Sequence, residues 1–539
     1  MEEMEKQLKK TQICIDPKNC SLDTRLQQMQ PCPIGMRGLC CKNCLMGPCR
    51  LLKPEDKGIC GADGNLVSSR NILRFVAGGT SAHVGHAYHL LEYLDKPYPA
   101  HYIEKKAPAY LKEIWDKLGM LPSSENSGMS RTKYANIIPK VRFEHFKEIS
   151  EALHMTTMGV NADFKLNLAT AMKLGIIDGY YGMYLATELE DGEFGRPKVK
   201  KGKLNLGVIN PDKINIAVHG HEPELAEALA AEMKKPENRD INLVGVCCTG
   251  ASLLARHGVP LAANVILQED VIATGVIEAI AVDTQCIMPS IADLAECFHT
   301  KVITTNDICR IPNATHLPVK NLETAEAAAK KIIQIARENR GNRKKSSFDP
   351  SKSPKKEAMV GFSQYNLPLN EWARDIKAGR LKGIVAVIGC ENPRVKEKWI
   401  PLYKELSKDH IILATGCMAF RLGAEGLLDG RRFFHLGSCV NNARVAEVFR
   451  IVAEKLGKEL GVAPFLVSCP APITEKAVAI GFFFASIGVD VHVGYPFLLA
   501  EKTKVTDFLA TALRDNFKSR IFLETHPDRL REQMAAARL

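Results

Sequence analysis

INIAVHGHEPELAEALAAEMKKPENRDINLVGVCC, from Ile214 to Cys248, decides how the chain folds. Two short runs rich in β-branched residues, INIAVHGH and INLVGVCC, flank a segment, PELAEALAAEMKK, whose Leu and Ala recur at helical spacing. Strand, helix and strand in succession imply a parallel sheet with helices on its faces. The alternation continues through IEAIAVDTQC (Ile277 to Cys286) and KVITT (Lys301 to Thr305). It pauses at RGNRKKSSFDPSKSPKKE (Arg340 to Glu357), a Ser-, Pro- and Gly-containing basic run that reads as a solvated linker. It then resumes with GIVAVIGC, HIILATGC, FFHLGSC, PFLVSCP, DVHVGYP and RIFLE. The expected fold is α/β: a mainly helical domain over 1–205, then two doubly wound parallel-sheet domains over 206–355 and 356–539.

The ends of these strands carry unusual side chains. His221 and Cys248 close the first two runs and Cys286 the third, while Cys390, Cys417 and Cys439 close the first three runs of the last domain. Open α/β sheets bind ligands at the carboxyl ends of their strands. Six metal-binding side chains at six such ends therefore predict a metal centre in the cleft between the two domains, against the bland reading of a cysteine as a small buried hydrophobe. Cys247, Cys297, Cys309 and Cys469 lack the pattern and read as core or neighbouring thiols. No phosphate-binding fingerprint accompanies the Rossmann-like alternation, since GGTSAHVG follows no strand and G-x-x-x-x-G-K-[ST] is absent, so a nucleotide cofactor is unsupported.

Upstream, Cys32, Cys40, Cys41, Cys44, Cys49 and Cys60 fall within 29 residues broken repeatedly by Gly and Pro. That backbone is free to wrap around a metal and point sulfurs inward. An iron–sulfur cluster, a zinc site and structural thiols all remain open on spacing alone. Cys41, Cys44, Cys49 and Cys60 can serve one cluster. Cys32 and Cys40 are then half of a four-thiolate site, which a homodimer with its two-fold axis nearby would complete.

The chain has 539 residues, 46% of them hydrophobic and 25% charged, which is globular composition. Its start, MEEMEKQLKK, carries no apolar run, so neither a secretory signal nor a transmembrane segment is expected; 17 cysteines then point to reduced thiols, metal sites and the cytoplasm. The net charge of +11 is dispersed, which argues against nucleic acid and suits docking of an acidic electron carrier. Residues 1–20 read as a charged helical lead-in and a loop with Cys14 and Cys20 as spare thiols. In NILRFVAGGTSAHVGHAYHLLEYL, His83, His86 and His89 recur every third residue along one helical stripe. The stripe is either a polar surface face or a proton path, because imidazole titrates near neutrality.

The run C-x7-CC-x2-C-x4-C-x10-C, the helix AHVGHAYH, and VHGH, CCTG, DTQC, IGC, ATGC, GSC and EKAVAIG in that order resemble the catalytic subunit of anaerobic nickel–iron carbon monoxide dehydrogenase. The resemblance implies an intrasubunit [4Fe–4S] cluster on Cys41, Cys44, Cys49 and Cys60, and a second one shared across the dimer through Cys32 and Cys40. It implies a Ni–Fe–S cluster with His221 and Cys248 on its unique iron, Cys286, Cys390 and Cys417 on its other irons, and Cys439 on nickel. His83 and Lys476 match the acid–base and oxyanion-stabilising residues, Asp178 in GIIDGYYG matches an active-site carboxylate, and His86 and His89 a proton relay. The implied reaction interconverts CO and water with CO2, protons and electrons that pass to a ferredoxin-like carrier.

Two positions depart from the family pattern. Glu92 stands where a fourth histidine is usual, and only 21 residues separate Cys417 from Cys439, where typical members have a much longer segment. The shortening leaves alternatives: an iron–sulfur–oxo hybrid-cluster enzyme that reduces hydroxylamine or a similar small molecule in the same scaffold, or a non-catalytic electron-transfer or redox-sensing protein.

Overall fold

The computed structural model describes residues 21–95, 144–496, 499 and 503–536. The expected lead-in with Cys14 and Cys20, and much of the helical stretch expected after residue 95, lie outside them. The chain divides into two compact units, one of Met1–Pro31, Lys203–Leu253 and Val259–Lys355, the other of Cys32–Gly202, Leu254–Gly258 and Lys356–Leu539. Among the described residues no helix is long and apolar enough to cross a membrane.

The second unit opens with a small antiparallel hairpin, β1 (Cys40–Cys41) and β2 (Cys49–Arg50), which sets Cys41 opposite Cys49. Helix α1 (Gly64–Tyr93) follows; Asp63 caps it, its carboxylate accepting from the Leu66 N–H at 2.9 Å. Helix α2 (Phe164–Ile177) runs into a π-helical turn, Asp178–Tyr184, and continues as α3 (Leu185–Glu193). Such wide turns are uncommon and often sit at functional sites.

In the first unit lie β3 (Lys200–Leu204), whose last residues belong here, β4 (Ile214–Gly220), α4 (Glu224–Glu232), β5 (Ile241–Val246) and α5 (Cys247–His257). Strands β6 (Leu261–Ala263), β7 (Ile277–Val282), β8 (Lys301–Thr304) and β9 (Thr315–His316) and helix α6 (Leu322–Asn339) complete it. The sheet runs β3-β6-β5-β4-β7-β8-β9. All its paired strands are parallel, and the order reverses between β4 and β7. Every residue of β4 is buried, as a central parallel strand requires; Ile216, Val218 and Leu243 pack with Leu225 and Leu229 of α4 and with Ala329 and Ile332 of α6. Each large aliphatic so buried contributes roughly 1.5–3 kcal/mol.

The second unit resumes with β10 (Lys356–Val360), β11 (Gly383–Val387), β12 (His410–Thr415), α7 (Gly416–Ala424), β13 (Phe433–Gly437) and α8 (Asn442–Leu456). It continues with β14 (Phe465–Cys469), α9 (Glu475–Ser486), β15 (Asp490–Val493) and β16 (Ile521–Leu523), and a helix over Pro527–Ala536 follows. Its parallel six-stranded sheet, β13-β12-β11-β14-β15-β16, reverses between β11 and β14 and is doubly wound. Helices α1, α2 and α9 pack backbone to backbone. A Cβ at Gly79 would sit 2.3 Å from Glu475 O, so only glycine allows α1 this close to the start of α9.

The basic run after α6 differs from the solvated linker expected of it. Arg343 is nearly enclosed, and its guanidinium donates to the carbonyls of Pro211, Lys213 and Val276 and to Glu278. A charge run does not exclude one buried, fully bonded arginine, because five donors in a planar fork can bind several carbonyls and a carboxylate together.

Candidate metal centre

The first unit gathers its donors at the reversal of its sheet. His221 follows β4, Cys247 and Cys248 open α5 directly after β5, and a backbone bridge joins Gly220 to Cys247. The ligand atoms of His221, Cys247 and Cys248 all lie within 4.8 Å of one another, and all three residues are buried. Cys286 Sγ is 3.8 Å from His221 Nε2. His221 Nδ1 donates to Thr284 O at 3.3 Å, which leaves Nε2 as the nitrogen with a lone pair for a metal. Gln285 and Cys286 hold φ of +67° and +60°, and Cys247 +59°, left-handed conformations that side chains rarely adopt outside constrained sites.

Asp283 organises this region. Its carboxylate accepts from the N–H groups of His221 (2.5 Å), Glu222 (3.1 Å) and Thr284 (2.5 Å) and from the Thr249 hydroxyl (2.9 Å). These donors favour the ionised form, although burial and the neighbouring Glu222 push its pKa up to about 7. On the opposite side, Gln268 donates to Cys286 O and accepts from Met288 N, holding the Cys286 turn, while burial keeps its partner His219 neutral with a pKa of about 4.

The second unit repeats the arrangement. Cys390 follows β11, Cys417 lies in the first turn of α7 after β12, and Cys439 follows β13; all three are buried. Gly416 has φ +60°, and a Cβ there would lie 2.9 Å from Cys439 Sγ, which fixes that sulfur against the start of α7. A Cβ at Gly389 would lie 2.9 Å from Cys469 Sγ, so Cys469 belongs to the same neighbourhood; burial and Cys390 push its thiol pKa far up.

Beside α9 sits a buried histidine–aspartate pair. His83 Nδ1 and Asp178 Oδ1 are 2.6 Å apart with both side chains closed to solvent, and Gly182 of the π-helical turn packs on the His83 backbone. His83 Nε2 and Asp178 Oδ2 have no hydrogen-bond partner among the described residues. Burial holds the His83 pKa down against the pull of Asp178, and the Lys476 cation pushes it the same way as burial. Lys476 is itself only 2% exposed on the first turn of α9.

Further along the stripe, His86 Nε2 lies 3.2 Å from Glu190 Oε1, a contact without hydrogen-bond alignment. Burial raises the Glu190 pKa, but Arg256, 2.5 Å from its Oε2, together with His86 holds it down at about 2. His89 is half-buried.

In the hairpin, a Cβ at Gly47 would stand 3.0 Å from Cys49 N, 3.3 Å from Cys41 O and 3.5 Å from Cys44 O, and one at Gly58 would stand 3.4 Å from Cys49 Sγ. The turn therefore draws the Cys41, Cys44 and Cys49 backbones together, with the loop leading to Cys60 against Cys49. Cys32 and Cys60 are exposed. The N–H groups of Gly35 and Ile34 lower the Cys32 thiol pKa, favouring the thiolate a metal takes.

These residues fit the clusters the resemblance implies. The donors are soft thiolates plus one imidazole of defined tautomer, the glycines at 389 and 416 make room for sulfur, and a buried imidazole nitrogen stands open beside a buried cation. Cys247 and Cys469, which the sequence reads as core or neighbouring thiols, stand beside the candidate ligands. Reading the sequence alone misses Asp283, Glu190 and Gln268, which act through partners distant in the chain.

Two doubly wound units with thiolates at their strand ends, and a hairpin of cysteines before them, define a thiolate-rich metalloprotein. The chain matches the Prismane/CO dehydrogenase family over residues 39–120 and 91–528, and it belongs to that family. Carbon monoxide dehydrogenase 1 of Carboxydothermus hydrogenoformans is 33% identical, the match covering 96% of this chain and 93% of that protein. Among solved structures, carbon monoxide dehydrogenase IV from Carboxydothermus hydrogenoformans aligns with a TM-score of 0.81 at 32% identity over 96% of both chains. The as-isolated, Ni-free carbon monoxide dehydrogenase from Thermococcus sp. AM4, produced without CooC maturase, aligns with a TM-score of 0.82 at 33% identity over 96% of this chain and 93% of that one.

Proposed function

We propose that this chain is a carbon monoxide dehydrogenase, interconverting CO and water with CO2, two protons and two electrons. The observation that carries the reading is the buried trio of His83, Asp178 and Lys476 within a chain that shares about a third of its residues with curated carbon monoxide dehydrogenases over nearly its whole length. His221, Cys248, Cys286, Cys390, Cys417 and Cys439 are the proposed ligands of a Ni–Fe–S cluster, Cys439 the one to nickel. Cys41, Cys44, Cys49 and Cys60 would hold one [4Fe–4S] cluster per subunit, and Cys32 and Cys40 half of one shared by a homodimer. The acceptor is proposed to be a ferredoxin-like carrier in the cytoplasm.

The Ni–Fe–S cluster, when bound, supplies Lewis-acidic metal for CO and water and a store for electrons. The chain supplies the rest. Asp178 accepts from His83 Nδ1–H, so Nε2 is the nitrogen that takes and gives protons. Lys476, a cation away from water, stabilises negative charge that develops on substrate oxygens, where a low dielectric makes it most effective. His86, set against the Glu190 carboxylate, carries protons onward from His83.

Anaerobically purified protein, produced with nickel and its maturation machinery, should reduce viologen when given CO. Reduction of hydroxylamine by nickel-free protein, with no CO activity under any loading, would instead establish the hybrid-cluster alternative.

A further inference from the structure

The chain between Cys417 and Cys439 is short, so the position of Cys439 depends on what the turn after β13 rests on. That turn is held by a set of buried polar contacts within the second unit. Asn441 Oδ1 accepts from Ser438 N at 3.0 Å and from Ser438 Oγ at 3.2 Å. Asn442 Nδ2 donates to Cys439 O at 2.9 Å, and Thr415 Oγ1 at the end of β12 donates to Asn442 Oδ1 at 3.0 Å. The remaining support comes from α3. Thr187 Oγ1 donates to Val440 O at 3.1 Å and accepts from Asn441 Nδ2 at 3.1 Å. Thr187, Thr415, Ser438, Asn441 and Asn442 are all at most 4% exposed.

Buried polar groups cost stability unless every one is bonded, whereas an apolar turn would meet no such demand. A network this complete fixes a geometry. The same face of α3, at helical spacing from Thr187, presents Glu190 to His86 and Asp191 to Arg444 of α8, at 3.2 Å and 2.6 Å. One helix thus touches both the turn that carries Cys439 and the histidine stripe.

We infer that Thr187 and Asn441 are positioning residues for Cys439, and that this network does in a shortened chain what a longer segment would otherwise do, holding the thiolate ready for nickel. The second half of the inference rests on the proposed role of Cys439 as the nickel ligand.

The test uses full-length, anaerobically purified protein carrying Thr187→Val, Thr187→Ser or Asn441→Ala, with two readouts. The first is amide hydrogen exchange of the Cys439–Arg444 turn, whose N–H groups at Asn441, Asn442, Ala443 and Arg444 bond back to Ser438, Cys439, Val440 and Asn441. Exchange there should quicken by at least about three- to tenfold, the range for a single buried hydrogen bond, in Thr187→Val, which removes two such bonds, and in Asn441→Ala, which removes three, and return to the parent rate in Thr187→Ser. The second is nickel per subunit, which should fall severalfold in Thr187→Val and Asn441→Ala at unchanged iron and recover in Thr187→Ser. Unchanged exchange in both Thr187→Val and Asn441→Ala overturns the positioning role. Quickened exchange in variants that load nickel as the parent does overturns the link to the metal. A parent protein that takes no nickel while its turn still responds to the substitutions leaves the positioning role supported and refutes Cys439 as a nickel ligand.

Discussion

His83 Nδ1 and Asp178 Oδ1 approach to 2.6 Å at a point where neither side chain meets solvent. Ninety-four residues lie between them in the chain, and the π-helical turn at Asp178–Tyr184 brings them together. The contact occupies one nitrogen of the ring and leaves the other, Nε2, with no hydrogen-bond partner among the described residues.

Asp178→Asn preserves the shape of the pair but can donate its amide N–H to Nδ1, which would place the ring proton on Nε2. CO-dependent viologen reduction should fall by about a hundredfold or more, the range of general acid–base catalysis, with nickel and iron unchanged by elemental analysis. Loss of metal would show that Asp178 supports the cluster instead.

His86→Ala and His89→Ala should slow turnover without altering metal content, because both are proposed to carry protons. Glu190→Gln removes the negative charge facing both His86 and Arg256. A moved pH profile of turnover at parental iron and nickel is the expected result, read from rates between pH 6 and 9.

Cys32→Ser with Cys40→Ser should remove one [4Fe–4S] cluster per dimer and leave the cluster on Cys41, Cys44, Cys49 and Cys60. Iron analysis and sedimentation check this together; a monomer with full iron content is the opposing outcome.

His435 and His492 are fully enclosed, and burial holds each near a pKa of about 4. His492 accepts at Nδ1 from Ser468 Oγ and donates from Nε2 to Glu524 O, both at 2.8 Å, so the folded state keeps it neutral. Between about pH 6.5 and pH 4 the unfolded chain binds protons these groups do not, and stability falls as pH falls, by at most about 1.4 kcal/mol per pH unit per group. His492→Gln should flatten that dependence in thermal unfolding at pH 6.5, 5.5 and 4.5.

The strands were legible because runs such as Ile214–Gly220 and Gly383–Val387 are continuously apolar and β-branched, as parallel strands buried on both faces must be. Leu261–Ala263 and Thr315–His316 escaped notice because two or three residues carry no period. The candidate ligands could be read from the same runs, since each follows the carboxyl end of its strand within four residues. What holds those ligands could not. Asp283 acts on residues around 221 and 249, Thr187 on residues around 440, and Cys469 lies near Gly389, relations set by sheet order and helix packing. The short Cys417–Cys439 segment likewise reads in sequence only as a deletion, whereas in the fold it ends in a turn bonded at nearly every polar atom.

The most direct test of the account is CO oxidation by protein matured with nickel, compared with its Cys439→Ala and Lys476→Ala variants. The parent should contain about one nickel per subunit, as a single site implies, and reduce viologen with CO. Cys439→Ala should abolish that activity, and Lys476→Ala should retain nickel while losing roughly a hundred- to a thousandfold in rate, as expected when an oxyanion stabiliser is removed. Fully iron-loaded protein that takes up no nickel and leaves CO unoxidised, or a Lys476→Ala variant that turns over at the parental rate, would contradict it.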